Sequence, residues 1–341
     1  MGSMAVAASF LASSVLMAPT ATADPLVDNP NSSTGGPSSL GSYVADYTVE
    51  GDQWLLLDVY SPSMDREIPI SVWRPADTSV PRPTLYLLNG AGGGEDGANW
   101  QARTDAMEFF ADKNVNVVTP LQGKWSYYTD WINDDPVLGR NKWQTFLTQE
   151  LPPVINSFLG TNGVNSIAGI SSSGTSVFNL ALHAPGLYRG IAAYSGCAQA
   201  SDPIGRDFIK TTVEVWGGGD TLNMWGPDDS PLWAQNDPLV RAEELRGYDL
   251  YISNGSGLPG PYDTPSGPDL NGDVASTANQ IIVGGVIEGA TNYCSHNLQR
   301  RLDELGIPAT YDFPPVGTHS WGYWQDQIKL SWPVLARSLG V

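Results

Sequence analysis

An apolar stretch from Val164 to Ile170 runs into the turn Ser171-Ser172-Ser173-Gly174, and a helical pattern (Val177, Leu180, Ala181) follows at once. A strand, a sharp turn and a helix in immediate succession lift a serine hydroxyl to the top of a sheet. Two further segments lie downstream: Glu288, and then Gly317-Thr318-His319-Ser320-Trp321. Nucleophile, acid and base therefore fall in the order serine, carboxylate, histidine, which is one of the known chain orders of a hydrolytic triad.

The flanking pattern agrees with a layered α/β chain. Strand-like runs at Tyr47–Val49, Trp54–Val59, Ile68–Trp73 and Thr84–Leu88 predict antiparallel and then parallel strands. Helix Thr104–Lys113, strand Val115–Thr119, helix Lys142–Phe158, strand Val164–Ile170, helix Gly174–His183 and strand Gly190–Ser195 then alternate as βαβ units do. The last expected elements are strand Asp249–Ser253, an amphipathic run Thr291–Leu305, strand Ala309–Phe313, the His319 loop and a closing helix Tyr323–Leu339. The expected fold is an α/β-hydrolase fold: a mostly parallel central sheet with helices on both faces.

Ahead of this domain, residues 1–23 carry no charged side chain, run apolar from Ala5 to Met17 and end in Ala21-Thr22-Ala23. This predicts a signal peptide with an A-x-A cleavage site, and hence a secreted or cell-envelope protein. Residues 24–42, rich in Pro, Ser, Gly and Asn, predict a flexible linker, and residues 43–341 the catalytic domain. No stretch reaches the ~18 consecutive apolar residues of a transmembrane anchor. The 17 Lys+Arg against 36 Asp+Glu give a net charge of −19, which repels nucleic acid and anionic headgroups and favours a neutral substrate. Cys197 and Cys294 would meet an oxidising setting if exported, but their pairing depends on a separation that sequence does not give.

Acyl transfer by serine needs a base for the hydroxyl proton and donors for the oxyanion. Three histidines compete for the first role. His183 ends the helix after the serine, where a cation suits the helix dipole, and His296 falls inside an amphipathic run. His319, in a Gly/Thr/Ser loop after the last strand, is the expected base. Asp263, Asp269, Asp273 and Glu288 compete for the acid, and spacing alone does not separate them. Glu288 is preferred because the apolar run Ile281–Ile287 would bury and fix it. With Ser171 as nucleophile, Ser173 stands where G-x-S-x-G has its second glycine; the bland alternative is a Ser/Gly helix cap.

The loop Asn89-Gly90-Ala91-Gly92-Gly93-Gly94 follows strand Thr84–Leu88, so the N–H groups of Ala91 and Ser172 are the expected oxyanion hole. It lacks the lysine and the spacing of a nucleotide site. The segment from Asn254 to Asn279 is long for a loop, and Asp269-Leu-Asn271-Gly-Asp273 imitates the start of a calcium loop. Val274 and Gln280 replace the glycine and glutamate that loop needs, so no metal or other cofactor is expected.

Several longer segments carry a resemblance: Leu87-Leu88-Asn89-Gly90, Tyr127-Tyr128-Thr129-Asp130-Trp131, Phe146-Leu147-Thr148-Gln149-Glu150-Leu151-Pro152, Met224-Trp225-Gly226-Pro227 with Asn236-Asp237-Pro238, and Phe313-Pro314-Pro315 with the His319 segment. Together they resemble the secreted mycolyltransferases of the antigen-eighty-five type, a branch of the α/β-hydrolases. The family's Gly-Leu-Ser-Met-x-Gly matches Gly169-Ile170-Ser171-Ser172-Ser173-Gly174, and its glutamate and histidine map onto Glu288 and His319. The family's Asp-Gly-Leu-Arg reads Asn89-Gly90-Ala91-Gly92 here, so its acidic and arginine sugar contacts are absent.

On that resemblance the candidate substrate contacts are Asn89, Gly92, Trp131, Ser320 and Trp321, the two tryptophans as platforms for sugar rings. The resemblance implies transfer of a mycolyl or other long acyl chain through a Ser171 acyl-enzyme, with a glycolipid acyl donor and a sugar acceptor such as a trehalose glycolipid or wall polysaccharide. A secreted carboxylesterase or thioesterase using water, and a non-catalytic binding protein on the same scaffold, are the alternatives.

Overall fold

The computed structural model describes residues 40–268 and 270–341; the expected signal peptide, most of the linker and Asp269 lie outside the described residues. Nine strands form one sheet: β1 (Tyr43–Val49), β2 (Trp54–Ser61), β3 (Arg66–Trp73), β4 (Thr84–Leu88), β5 (Asn116–Pro120), β6 (Asn165–Ile170), β7 (Tyr188–Tyr194), β8 (Asp249–Ser253) and β9 (Thr310–Asp312). Their order is β1-β2-β3-β5-β4-β6-β7-β8-β9. The first three strands and the β3–β5 pair are antiparallel, and every pair from β5 to β9 is parallel.

The parallel strands read as apolar runs because both faces are covered. In β4, Tyr86 and Leu88 point into one core layer and Leu85 and Leu87 into the other. Three long helices and one shorter one carry the layers: α1 (Leu151–Leu159), α2 (Ser172–His183), α3 (Gly285–Leu305) and α4 (Trp321–Leu339). A third apolar cluster, including Trp131, Trp225 and Trp233, packs the long connection between β7 and β8 against the segment that follows β5.

The sheet order fixes where a ligand can sit. The chain leaves β4 for β5 on one side and returns to β6 on the other, so the carboxyl ends of β4 and β6 flank a reversal of strand order, with Leu88 paired to Gly169. Crevices at such a reversal are the usual ligand sites of open α/β sheets.

Several element bounds differ from the sequence expectation. The helix expected over Thr104–Lys113 spans only Ala106–Phe110. The one expected over Lys142–Phe158 is interrupted by a π-turn at Phe146–Glu150 before α1. Within the long segment before Glu288, Val274–Asn279 is helical and continues through the π-turn Gln280–Gly284 into α3.

Candidate active site

Ser171 stands between β6 and α2 with φ 55° and ψ −125°, a conformation a non-glycine residue seldom adopts. Its N–H donates to the Tyr194 carbonyl at 2.9 Å, and the Gly174 N–H donates to its own carbonyl at 2.9 Å, which hold the turn from both sides. The second-glycine position of the motif is filled by Ser173, fully buried, whose Oγ accepts from the Ile170 N–H at 2.9 Å and lies 2.9 Å from the Ile170 carbonyl. The serine is a tie across the elbow.

His319 Nε2 lies 2.8 Å from Ser171 Oγ, and Nδ1 lies 2.6 Å from Glu288 Oε2. Because the carboxylate accepts, Nδ1 carries the ring proton and the Nε2 lone pair faces the hydroxyl. This is the geometry in which an imidazole takes a proton from an alcohol. The ring also meets Trp324 edge to face at 4.8 Å between centroids, and the His319 N–H donates to the Gly284 carbonyl at 3.2 Å.

Glu288 is buried, and a buried carboxylate needs donors. Its Oε1 accepts from Ser195 Oγ at 2.7 Å, Asn254 Nδ2 at 2.9 Å and the Gly255 N–H at 2.7 Å. Ser195, with φ 53° at the end of β7, in turn accepts from Trp324 Nε1 at 2.9 Å. The apolar run before Glu288 does not bury it, contrary to the sequence expectation. Ile282, Val283 and Val286 face outward, and the burial comes from the loops after β7 and β8.

Asp263, one of the competing acids, is also buried and also tied, but elsewhere. Its carboxylate accepts from Thr318 Oγ1 at 2.5 Å, Tyr323 Oη at 2.5 Å, Gln280 Nε2 at 2.8 Å and the Gly260 N–H at 2.8 Å. It thus joins the residue before His319 to the 258–280 segment. Burial and this acidic partner push the Tyr323 phenol well above its ordinary value. Asp273 caps helix Val274–Asn279, and Asp269 lies outside the described residues. Sequence reasoning missed Ser195, Asn254 and Trp324; a Ser-Gly pair closing a buried strand was the one local signal, at Ser195-Gly196.

At the expected oxyanion hole, the Gly90 carbonyl accepts from the Gly93 N–H at 3.0 Å. A trans peptide points its N–H opposite its C=O, so the Ala91 N–H faces away from that turn. Gly90 itself abuts the serine, with a Cβ there falling 3.4 Å from Ser171 Cβ. Ser172 is the first residue of α2, so its N–H has no carbonyl within the helix to bond.

The candidate substrate contacts divide. Trp321 lines a cleft of about 600 Å³ that also contains His319, Ser320, Tyr262, Gln280 and Ile287. Trp321 packs edge to face on Trp100 and Trp324. Ser320 is mostly buried at the start of α4. Gly92 offers backbone only, and a side chain there would meet the Asp96 carboxylate at 3.0 Å.

Two of the expected contacts are corrected. Asn89 is fully buried, donating to the Pro120 carbonyl at 3.0 Å and accepting from the Trp100 N–H at 3.3 Å, so it braces the strand ends. Trp131 is 1% exposed and donates to the Ser126 carbonyl at 3.1 Å; it is core and offers no ring face to a sugar.

Cys197 and Cys294 form a disulfide, which answers the question that sequence left open. It ties the loop after β7 to α3, six residues beyond Glu288. His183 donates from Nδ1 to the Asn179 carbonyl at 2.8 Å, and its Nε2 faces Arg241 at 3.4 Å. Burial holds its pKa below the ordinary value, so the cationic cap expected from sequence is replaced by a neutral ring. His296 pairs with Gln299 and packs on Phe313. Among the described residues no cluster of ligating side chains could hold a metal, and no helix is long and apolar enough to cross a membrane.

Comparison with known proteins identifies the family. The Esterase family model matches residues 61–331. The chain is 32% identical over 295 residues to the diacylglycerol acyltransferase/mycolyltransferase Ag85A of Mycobacterium leprae, covering 83% of each chain. It is 31% identical to Ag85C of Mycobacterium avium, covering 83% of this chain and 77% of that one. Among solved structures, Mycobacterium tuberculosis MPT51 (FbpC1) superposes with a TM-score of 0.70 at 25% identity, covering 84% of this chain and 98% of its own. An S-formylglutathione hydrolase from Agrobacterium tumefaciens shares the fold, with a TM-score of 0.62 at 16% identity over 87% of this chain and 99% of that one. The chain belongs to the Esterase family, on the α/β-hydrolase fold, and within it to the branch of the Ag85 mycolyltransferases.

Proposed function

We propose that this protein is an exported serine acyltransferase that moves a mycolyl or other long acyl chain between trehalose glycolipids, or onto a wall polysaccharide. Residues 1–23 serve as signal peptide, 24–42 as linker and 43–341 as catalytic domain. The reading rests on one observation above all: the unbroken line from Ser171 Oγ through His319 to Glu288, on a strained turn at the reversal of the sheet.

In the first step Ser171 Oγ attacks the ester carbonyl of the donor while His319 Nε2 takes the hydroxyl proton. The N–H groups of Ala91 and Ser172 stabilise the oxyanion, and the proton passes to the departing sugar oxygen. The acceptor hydroxyl then gives its proton to His319 and attacks the acyl carbon, and Ser171 Oγ leaves with that proton. Glu288 holds the ring tautomer and supports the imidazolium throughout.

Water as acceptor, giving a carboxylesterase, is the second reading. It is favoured by the strand-end loop, where Asn89 is turned into the core and Gly92 has no side chain to grip a sugar. A serine-directed phosphonate with peptide mapping tests the shared first step, and label absent from Ser171 would leave a non-catalytic binding protein. Product analysis with excess trehalose tests the second step: acylated trehalose supports transfer, and free acid alone rejects it.

A further inference from the structure

From Gly90 to Gly94 the loop after β4 carries no side chain larger than a methyl group. Glycine backbone is the costliest kind to order, yet a donor that meets an oxyanion has to hold its place to about half an ångström. The loop has no side chains of its own to do this, so the restraint must come from outside it.

Both peptide planes that meet at Ala91 are set by hydrogen bonds. The Gly90 carbonyl accepts from the Gly93 N–H at 3.0 Å, within the loop, and the Ala91 carbonyl accepts from the Trp125 N–H at 2.6 Å, from the turn after β5. That turn is strained. Trp125, Tyr127 and Tyr128 have φ of 60°, 55° and 47°, a region that bulky side chains rarely enter and that persists only where the surroundings fix it. The two segments also touch closely, since a Cβ at Gly93 would fall 2.5 Å from the Lys124 nitrogen.

Glu95, at the far end of the glycine run, bonds back to the same turn. Its Oε1 accepts from the Gly123 N–H at 3.1 Å and from the Lys124 N–H at 3.2 Å, and its Oε2 pairs with Lys124 Nζ at 2.9 Å. The Lys124 side chain is 53% exposed, so the ion pair itself is worth little. The bonds from backbone N–H to carboxylate are charge-assisted and fix the turn at the two residues just before Trp125.

We infer that Glu95 is a positioning residue for acyl transfer: by capping the 123–124 turn it seats the Trp125 N–H on the Ala91 carbonyl, and so holds the Ala91 N–H in register with the oxyanion. The inference rests on the reading of Ala91 and Ser172 as the oxyanion donors. Ser172 is held separately, by α2, so release of the clamp misplaces one donor of the two and leaves the line from Ser171 to Glu288 intact.

The test uses the full chain, dissolved p-nitrophenyl butyrate and an alkyl trifluoromethyl ketone. Ser171 Oγ adds to the ketone carbon, the carbonyl electron pair moves to oxygen, and His319 keeps the serine proton, so the adduct carries the oxyanion without a leaving group. Glu95→Ala and Glu95→Met both remove the acceptor, and Met keeps the length of the side chain, so one folded variant, verified by its thermal melt, suffices. Each is expected to lower kcat by about 10- to 100-fold, somewhat less than outright loss of an oxyanion donor, with KM within about three-fold of the wild type. Ketone affinity should fall by the same factor as kcat/KM. Glu95→Gln keeps an acceptor oxygen and should stay within about five-fold of the wild type. Lys124→Met removes only the exposed half of the ion pair and should cost less than about three-fold.

A kcat within two-fold of the wild type in the acceptor-less variants, a defect confined to KM, or a lowered kcat with unchanged ketone affinity would each overturn the role of Glu95. An equal loss in Lys124→Met would assign the effect to the ion pair and overturn the capping argument. A wild type that neither turns over the ester nor takes a phosphonate at Ser171 would count against the acyl chemistry itself, and would remove the reaction that Glu95 is argued to serve.

Discussion

Ser173 Oγ occupies the space that a side chain at position 169 would need: a Cβ built on Gly169 falls 2.6 Å from that oxygen and 2.9 Å from the Ser173 carbonyl. The two positions are therefore coupled. Glycine before the nucleophile makes room for a serine after it, and the serine hydroxyl then bonds the Ile170 peptide.

Gly169→Ala should push the turn apart and cost about 1–3 kcal/mol of stability, with loss of phosphonate labelling at Ser171. Ser173→Gly removes one buried tie without a clash, and should cost about 1 kcal/mol while labelling persists. Thermal melts alongside labelling rates check both. Equal tolerance of the two substitutions would mean that the elbow is looser than its packing suggests.

Glu288 and Asp263 are both buried carboxylates near His319, yet they are bonded to different things. Glu288→Gln should lower kcat by about 10³-fold or more, because an amide can no longer favour the reactive tautomer. Asp263→Asn leaves the His319–Glu288 contact in place and weakens only the ties to Thr318, Tyr323 and the 258–280 segment. A loss of about ten-fold, with KM moving as much as kcat, is expected there. Steady-state kinetics on a dissolved ester separates the two roles, and a larger defect in Asp263→Asn would exchange them.

The sequence carried Ser171 and His319 because each sits in a turn beside an element with a clear local pattern, whereas Glu288 lies inside helix that runs on from Val274 and was reached through chain order and the resemblance. It also carried the parallel sheet, whose strands are buried on both faces and read as apolar runs. What it could not carry was burial decided by distant segments. Trp131 looked like a sugar platform until Trp225 and Trp233 covered it, and Asn89 like a ligand contact until Pro120 and Trp100 claimed both ends of its amide. Glu288 meets His319 Nδ1, yet the residues before it face outward and do not bury it; Ser195, Asn254 and Gly255 satisfy its carboxylate.

The Cys197–Cys294 bridge closes a loop with a sequence separation of 97 and ends on α3 six residues beyond Glu288. Chain-entropy arguments assign a cross-link of that span about 3–5 kcal/mol. The double variant Cys197→Ser/Cys294→Ser should melt at a clearly lower temperature while keeping most of its activity in the cold, where α3 remains packed. Adding reductant to the wild type should reproduce the shift. An unchanged melting temperature would show that the unfolded chain is not restrained by the bridge.

His183 gives the protein a proton-linked component of stability away from the catalytic line. It ends α2, the helix that starts beside Ser171, and twelve residues at 1.5 Å rise place it about 18 Å from the elbow. Burial holds its pKa below the ordinary value of 6.5; the Asn179 carbonyl opposes this shift and the Arg241 guanidinium reinforces it. The folded protein then binds this proton less readily than the unfolded chain, so stability rises with pH across the interval between the two pKa values. The contribution is complete above about pH 6.5 and is lost as pH falls toward the folded value. His183→Gln keeps a donor for Asn179 and an acceptor for Arg241 but does not titrate. Urea unfolding between pH 7 and pH 5 should therefore show a shallower acid loss in the variant than in the wild type, with carboxylate contributions common to both. Ester turnover at pH 7 and above should be the same in the two proteins; parallel stability curves would mean that His183 titrates alike folded and unfolded.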